Sequence, residues 1–237
     1  MCAKAHTCRA ETALRRTGGT PVPPEEPIMH ILITAGPTRE PIDEVRFITN
    51  ASSGRMGYAV ACAAAQAGHD VLLLSGPADL PAPPGCAVES FLSVADLKTA
   101  LERHFEACGA LVMAAAVGDF RPERPEGGKL RRGRGPILLR LVPTEDVVAG
   151  VAAGKRPDQV IVVFAVEDGR DKHIQARARD KLLAKNADYI VANTPGAMAA
   201  AKSRACILSA DGLVLPWALR TKEKLAAEII RLIEADR

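Results

Sequence analysis

Residues 29–57 read MHILITAGPTREPIDEVRFITNASSGRMG. The stretch from His30 to Thr34, closed by Ala35-Gly36-Pro37, has the form of a short buried strand ended by a turn signal. A helical pattern follows over Gly54–Ala67, and Gly68 stands where a glycine closes a helix C-terminus. The next strand, Asp70–Ser75, completes a strand–helix–strand unit, which implies parallel pairing with a crossover. The same alternation continues outward from this unit. Strands are predicted at Val88–Phe91, Ala110–Ala115, Gln159–Ala165 and Asp188–Ala192, and helices at Val94–Ala107, Glu145–Ala153, Asp171–Asn186 and Thr221–Ala235. Additional strands are expected at Ile137–Val142 and in a hairpin of Ala205–Ser209 with Leu213–Leu215, turning through Ala210-Asp211-Gly212. The fold class that follows is α/β: a Rossmann-like, mostly parallel sheet with helices on both faces, extra strands and a flap loop.

The domain is expected to occupy residues 29–237. Residues 1–28 contain TGGTPVPPEEP and no hydrophobic periodicity, so they read as a disordered leader, with Met29 as an alternative start. Pro77–Cys86, with four prolines, and Phe120–Pro136, rich in Pro, Gly, Lys and Arg, read as loops, and the second is long enough to suggest a function.

Apolar residues make up 48% of the chain and aromatic residues only 3%, so Ala, Val, Leu and Ile must build the core. A net charge of +3 gives no sign of wholesale nucleic-acid binding. The six cysteines are scattered without a C-x-x-C pair, which fits a reducing compartment, the cytoplasm, rather than a disulfide framework. Cys2, His6 and Cys8 lack a second ligand pair and are not read as a metal site. No apolar run approaches the roughly 20 residues that span a bilayer, and the first residues lack the apolar core of a secretory signal.

Open α/β sheets bind ligands beyond the carboxyl ends of their strands, so the segments after each strand carry the functional reading. After the first strand there is no G-x-G-x-x-G. The chain instead makes a long excursion through Arg39, Asp43 and Arg46 and returns at Asn50-Ala51-Ser52-Ser53-Gly54. Ser52 and Ser53 stand in helix N-cap positions, where free backbone N–H groups and the helix dipole suit an anion and Gly54 allows its close approach; a plain N-cap turn is the bland alternative. After the fourth strand, AAAVGDFRP leaves room for a ligand and offers Asp119 to a ribose or a metal ion, although an aspartate there is more often a cap. The basic run Gly127–Arg134 is either a solvated loop or a flap that closes Lys129 over a polyphosphate. Lys181 and Lys185 share a helix face and could hold phosphates, or simply be solvated; Phe164, ending a strand, could equally be core.

Taken jointly and in order, these segments resemble the phosphopantothenoylcysteine synthetase family, from Met29 to the C-terminus. The most specific matches are ITAGPTREPIDEVRFITNASSGRMG and AAAVGDFRP, supported by the K-x-R-R flap, FAVE and KLLAKNADYIVAN. The resemblance implies a phosphopantothenate–cysteine ligase of coenzyme A biosynthesis. A nucleoside triphosphate, CTP or ATP, activates the carboxylate of 4′-phosphopantothenate as an acyl-nucleotidylate with release of pyrophosphate, and the cysteine amine then displaces the nucleotide. Mg²⁺ assists, and its ligands are not identified. It further implies that Asn50 and Lys129 are catalytic, and that Ser52, Ser53, Gly54, Asp119, Lys129, Phe164, Lys181 and Lys185 bind nucleotide. Asn50, Arg46 and Ala115 are implied to bind substrate. No covalent enzyme intermediate is expected.

Three departures from the family pattern stand out: Gly118 where alanine is common, Arg131 and Arg132 after Lys129 where a lysine-rich flap is common, which keeps the charge, and Thr144-Glu145-Asp146 in place of N-P-D, which bears on the choice of CTP over ATP. The short leader implies a stand-alone synthetase, expected as a homodimer joined through its extra strands, with no nucleic-acid or membrane partner and room for a separate decarboxylase partner. Two other readings compete. An NAD(P)-dependent short-chain reductase would share the sheet, but Tyr58 and Tyr189 have no lysine four residues on. A non-catalytic nucleotide-binding module would not need Asn50 and Lys129.

Overall fold

A computed structural model describes residues 28–133, 135–197 and 200–236. The reading of residues 1–28 as a leader, and of Cys2, His6 and Cys8 within it, lies outside the described residues apart from Ile28, as does Arg134 of the basic run.

The first strand, β1 (His30–Ala35), is buried at every position after His30. That continuous burial places it in mid-sheet, covered on both faces. β1 pairs in parallel with β4 (Asp70–Ser75) on one side and with β6 (Ala110–Met113) on the other. Between β1 and β4 lie a small antiparallel hairpin, β2 (Arg39–Pro41) with β3 (Phe47–Thr49), and helix α1 (Arg55–Gln66). After β4 come β5 (Cys86–Ser90), helix α2 (Val94–His104) and then β6. A second small hairpin, β7 (Phe120–Pro122) with β8 (Leu141–Pro143), precedes helix α3 (Val147–Ala152). The chain ends in β9 (Val160–Val166), α4 (Asp171–Ala184), β10 (Tyr189–Asn193), β11 (Lys202–Ser209), β12 (Gly212–Thr221) and α5 (Lys222–Ala235).

The main sheet has eight strands in the order β12-β11-β10-β9-β6-β1-β4-β5. The six from β10 to β5 run parallel, and β11 and β12 add an antiparallel hairpin at the edge. Helices α1 and α5 cover one face and α2, α3 and α4 the other, so each face has its own core. The expected α/β class, with helices on both faces, is what the structure shows. From β1 the chain winds outward to β4 and β5, then returns through α2 to β6 and winds the other way. The gap beyond the carboxyl ends of β1 and β6 is therefore the topological switch point, where such sheets bind ligands.

Several elements differ from the sequence reading, and the loops are where they differ. The strand expected over Ala110–Ala115 ends at Met113, because Ala114 N–H turns back to the Val112 carbonyl and Ala116 N–H bonds the Gly36 carbonyl. The loop expected over Phe120–Pro136 begins as β7, and the strand expected over Ile137–Val142 is only Leu141–Pro143, its partner. The edge hairpin is longer at both ends than Ala205–Ser209 with Leu213–Leu215. Thr221 caps α5 rather than opening it, accepting from Lys224 N–H at 3.3 Å. Gly68, at φ 89°, closes α1 as expected.

Helix α1 lies against β1 through Gly57. A β-carbon there would stand 2.5 Å from Ala35 Cβ and 2.7 Å from the Thr34 carbonyl oxygen. Backbone and side chain of the central strand cannot yield, so Gly57→Ala is expected to cost about 1–3 kcal/mol by overpacking. A fall in thermal midpoint of several degrees, read by circular dichroism, checks this.

Candidate active site

Two loops meet at the switch point, where one isolated backbone bridge, Pro37 with Ala116, joins them without extending into a ladder. Threonines add to it. Thr34 Oγ1 accepts from Ala115 N–H at 3.0 Å, Thr38 Oγ1 accepts from Gly118 N–H at 2.9 Å, and Thr49 Oγ1 donates to the Thr38 carbonyl at 2.7 Å. Glu40, which is buried, accepts from Val94 N–H at 2.9 Å and so ties β2 to the start of α2. Much of the TAGPTRE sequence is thus a lacing that fixes the post-β1 and post-β6 loops together.

Between these loops opens a cavity of about 600 Å³. Asn50, Ser52, Ser53, Gly54, Ala115, Asp119, Phe164, Lys181 and Lys185 all line it, although they come from segments more than a hundred residues apart. Arg46 and Lys129 do not line it. Lys129 is exposed on its loop, and Arg46 is engaged at the tip of the β2–β3 hairpin.

Ser52 and Ser53 are not the helix N-cap. That position is Gly54, in the left-handed region at φ 75°, and Ser52 Oγ accepts from Gly54 N–H at 3.3 Å. The turn needs the left-handed conformation to swing the chain from the hairpin into α1, and glycine reaches it without steric cost. No side chain caps α1, and its first residues, Arg55 and Met56, line the cavity.

Asn50 follows β3 and donates through Nδ2 to the carbonyls of Val117 at 2.9 Å and Ala116 at 3.3 Å. Two carbonyl partners settle the amide orientation. Both amide hydrogens are engaged, so Asn50 offers a ligand the acceptor Oδ1.

The two lysines on α4 carry carboxylates. Lys181 Nζ lies 2.6 Å from Glu167 Oε1, and Lys185 Nζ lies 2.5 Å from Asp146 Oδ2. Asp146 also caps α3, accepting from Ala149 N–H at 3.1 Å. Burial pushes the Asp146 carboxyl up, but Lys185 and the α3 amides outweigh it and hold the group below its usual range.

Among the cavity residues given no role from the sequence are Asp146, Asn193 and Lys222. Asp146 sits in the segment read only as a departure from the family pattern. Asn193 has a buried Oδ1 with no hydrogen-bond partner among the described residues. Lys222 opens α5 with 5% of its surface exposed, and burial together with the nearby Arg55 charge depresses its ammonium pKa. A lysine at a helix start usually reads as solvated, so nothing in the sequence marked it. No cluster of three or more metal-ligating side chains occurs among the described residues.

The family model for the DNA/pantothenate metabolism flavoprotein C-terminal domain matches residues 28–236. The chain belongs to this family. Among curated relatives, a protein from an unknown prokaryotic organism named cysteine/cysteine sulfinic acid decarboxylase is 42% identical over 86% of this chain and 57% of its own. The coenzyme A biosynthesis bifunctional protein CoaBC of Mycobacterium bovis is 41% identical over 86% of this chain and 51% of its own. The chain therefore spans about half the length of the curated relatives it matches. Among solved structures, the C-terminal domain of a coenzyme A biosynthesis bifunctional protein CoaBC has a TM-score of 0.73 and 35% identity, covering 87% of this chain and 94% of that one. Family membership sets aside the short-chain reductase reading; Tyr58, one of the two tyrosines weighed for it, bonds Ser75 Oγ at 3.0 Å.

Proposed function

We propose that this chain joins 4′-phosphopantothenate to L-cysteine through an acyl-nucleotidylate formed from CTP or ATP. The observation that carries the reading is the single cavity at the switch point, where the uncapped start of α1, Lys181, Lys185 and Asn50 converge. A carboxylate oxygen of the substrate attacks the α-phosphorus and expels pyrophosphate. The amine nitrogen of cysteine then attacks the acyl carbon, loses a proton, and displaces the nucleoside monophosphate.

In this reading the Ser52–Gly54 turn and the α1 N–H groups receive phosphate oxygens, and Lys181 and Lys185 exchange their carboxylates for the same anion. Phe164, half-buried between core and cavity, supplies a flat wall for the base, beside Ala115. Lys129 comes in with its flap to offset the charge that develops at the α-phosphorus. Asn50 Oδ1 accepts a hydrogen bond from the incoming amine, directing its lone pair at the acyl carbon. Arg46 reaches substrate only by leaving its present partners. Mg²⁺ is commonly held by one or two carboxylates plus substrate phosphates, and Asp119 at the cavity is the carboxylate suited to that; the ion would neutralise phosphate charge there.

One assay tests the proposal: 4′-phosphopantothenate, cysteine and magnesium with CTP or ATP in parallel, following pyrophosphate. Release that requires both carbon substrates supports a ligase. Nucleotide binding without turnover supports the non-catalytic module instead.

We also propose that the chain forms a homodimer in the cytoplasm. Val45, Phe47, Phe120, Leu138 and Leu141 are exposed on or beside the two small hairpins, Leu138 at 93%, and apolar side chains grouped in this way favour association. Leu213, Val214 and Leu219 are likewise exposed on β12, so both sets of extra strands offer an apolar contact surface. Light scattering is expected to give about twice the 25.1 kDa chain mass. The four cysteines among the described residues are free, and burial pushes Cys108 and Cys206 up to about 11, as suits a reducing compartment. No helix among the described residues is long and apolar enough to cross a membrane.

A further inference from the structure

The tip of the β2–β3 hairpin holds a carboxylate with no solvent exposure, that of Asp43. Its Oδ1 accepts from the backbone N–H groups of Val45 at 2.8 Å and Arg46 at 2.7 Å, which closes the turn. Its Oδ2 does something else: it accepts from Arg46 Nη1 at 2.8 Å and from Leu130 N–H, on the basic loop, at 3.1 Å. Arg46 Nη2 completes the clasp by donating to the Leu130 carbonyl at 3.2 Å. The loop is tied a second time four residues earlier, where Glu126 N–H donates to the Ile42 carbonyl at 2.9 Å. Between the two ties hang Gly127, Gly128 and Lys129. A β-carbon at either glycine would meet nothing within 4 Å, and Lys129 is exposed. The arrangement is a short, open span clamped at both ends to one hairpin. The other end of that hairpin, past β3, carries Asn50 into the cavity.

We propose that Asp43 is a positioning residue for the flap, fixing the span that carries Lys129 to the same hairpin that carries Asn50, so that the two groups keep a common frame. The inference rests on the proposed role of Lys129 in activation. Without the clasp, the next ties on either side of Lys129 are Glu126 with Ile42 and Arg140 with Glu123, and Lys129 would explore far more space than a three-residue span allows. Arg46 on this view works through the clasp, with Leu130 and Asp43 as its partners.

The chemistry of the clasp defines its test. In Asp43→Asn the amide oxygen can stay on the Val45 and Arg46 amides and preserve the turn. The amide nitrogen then replaces Oδ2 and faces donors, so the Leu130 and Arg46 contacts are lost. Trypsin under native conditions reads flap release directly, at Lys129, Arg131 and Arg132, with the cut sites identified by mass spectrometry. Cutting there is expected to accelerate about ten- to a hundredfold, the scale of one charge-assisted hydrogen bond. The pyrophosphate burst is expected to slow by a similar factor, with the KM for cysteine unchanged. Leu130→Pro, which removes the amide hydrogen on the flap side, should accelerate cutting at Arg131 and Arg132 in the same way, the Lys–Pro bond it makes after Lys129 being resistant to trypsin; it serves if Asp43→Asn lowers the thermal midpoint by more than a few degrees. Unchanged cutting in both variants overturns the clasp. Faster cutting with an unchanged burst overturns the positioning role. If Lys129→Gln itself releases pyrophosphate at the wild-type rate, the functional reading of the flap has failed while the clasp, read by cutting, can still stand.

Discussion

Lys129→Gln is expected to reduce acyl-nucleotidylate formation by at least about two orders of magnitude, the loss seen when one preorganised charge-stabilising group is removed. Glutamine is one bond shorter and keeps N–H donors but removes the charge. Lys181 and Lys185 cannot take over, because each already faces a carboxylate, Glu167 and Asp146. Lys129 has no such partner among the ion pairs of the described residues and lies outside the cavity, so its charge reaches the site only when the flap does. The loss should therefore appear in the rate of the pyrophosphate burst more than in nucleotide affinity. Rapid-quench measurement of pyrophosphate, with nucleotide affinity measured separately by titration, distinguishes these. A wild-type burst would remove Lys129 from the mechanism.

Asn50→Asp is expected to spare the first half-reaction more than the second and to let the acyl-nucleotidylate accumulate, with overall turnover down about a hundredfold. Two effects act together. A carboxylate oxygen in place of Nδ2 would face the carbonyls of Ala116 and Val117, converting two attractions into repulsion and moving the loop that borders the cavity. The added negative charge would also hold the cysteine amine in its protonated form, which has no lone pair for attack. Mass spectrometry of quenched reactions, together with product formation over time, checks this. Normal product with no intermediate would argue against the role given to Asn50.

The parallel core was legible because each of its strands is a short apolar run bounded by turn residues, and β1, β4, β9 and β10 fall where the pattern puts them within a residue or two. The small hairpins were not. β2 and β3 are three residues each, contain Arg39, Glu40 and Pro41, and exist because Glu40 reaches Val94 and Asp43 clasps the flap. Such pairings depend on contacts distant in sequence, which no local window contains. The site shows the same division. The residues that converge on the cavity were found from motifs following strands; Asn193 closes the quoted KLLAKNADYIVAN motif without having been given a role, and Lys222 gave no local sign. Ser52 and Ser53 looked like caps because serine is a favoured capping residue, but the left-handed Gly54 takes the position.

The ion pairs at Lys181 and Lys185 bear on how the cavity discriminates among anions. A monovalent ion such as chloride would have to displace Glu167 or Asp146 in exchange for a single weak contact, and the carboxylate is already tethered in place. In the proposed function a polyphosphate meets both ammonium groups and the α1 amides, so one binding event would compensate both displacements. On the proposed nucleotide-binding reading, in a cell crowded with small anions, the resting pairs would act as a threshold: ligands of low valence would be passed over in favour of those whose charges are spaced to reach all three anchors together.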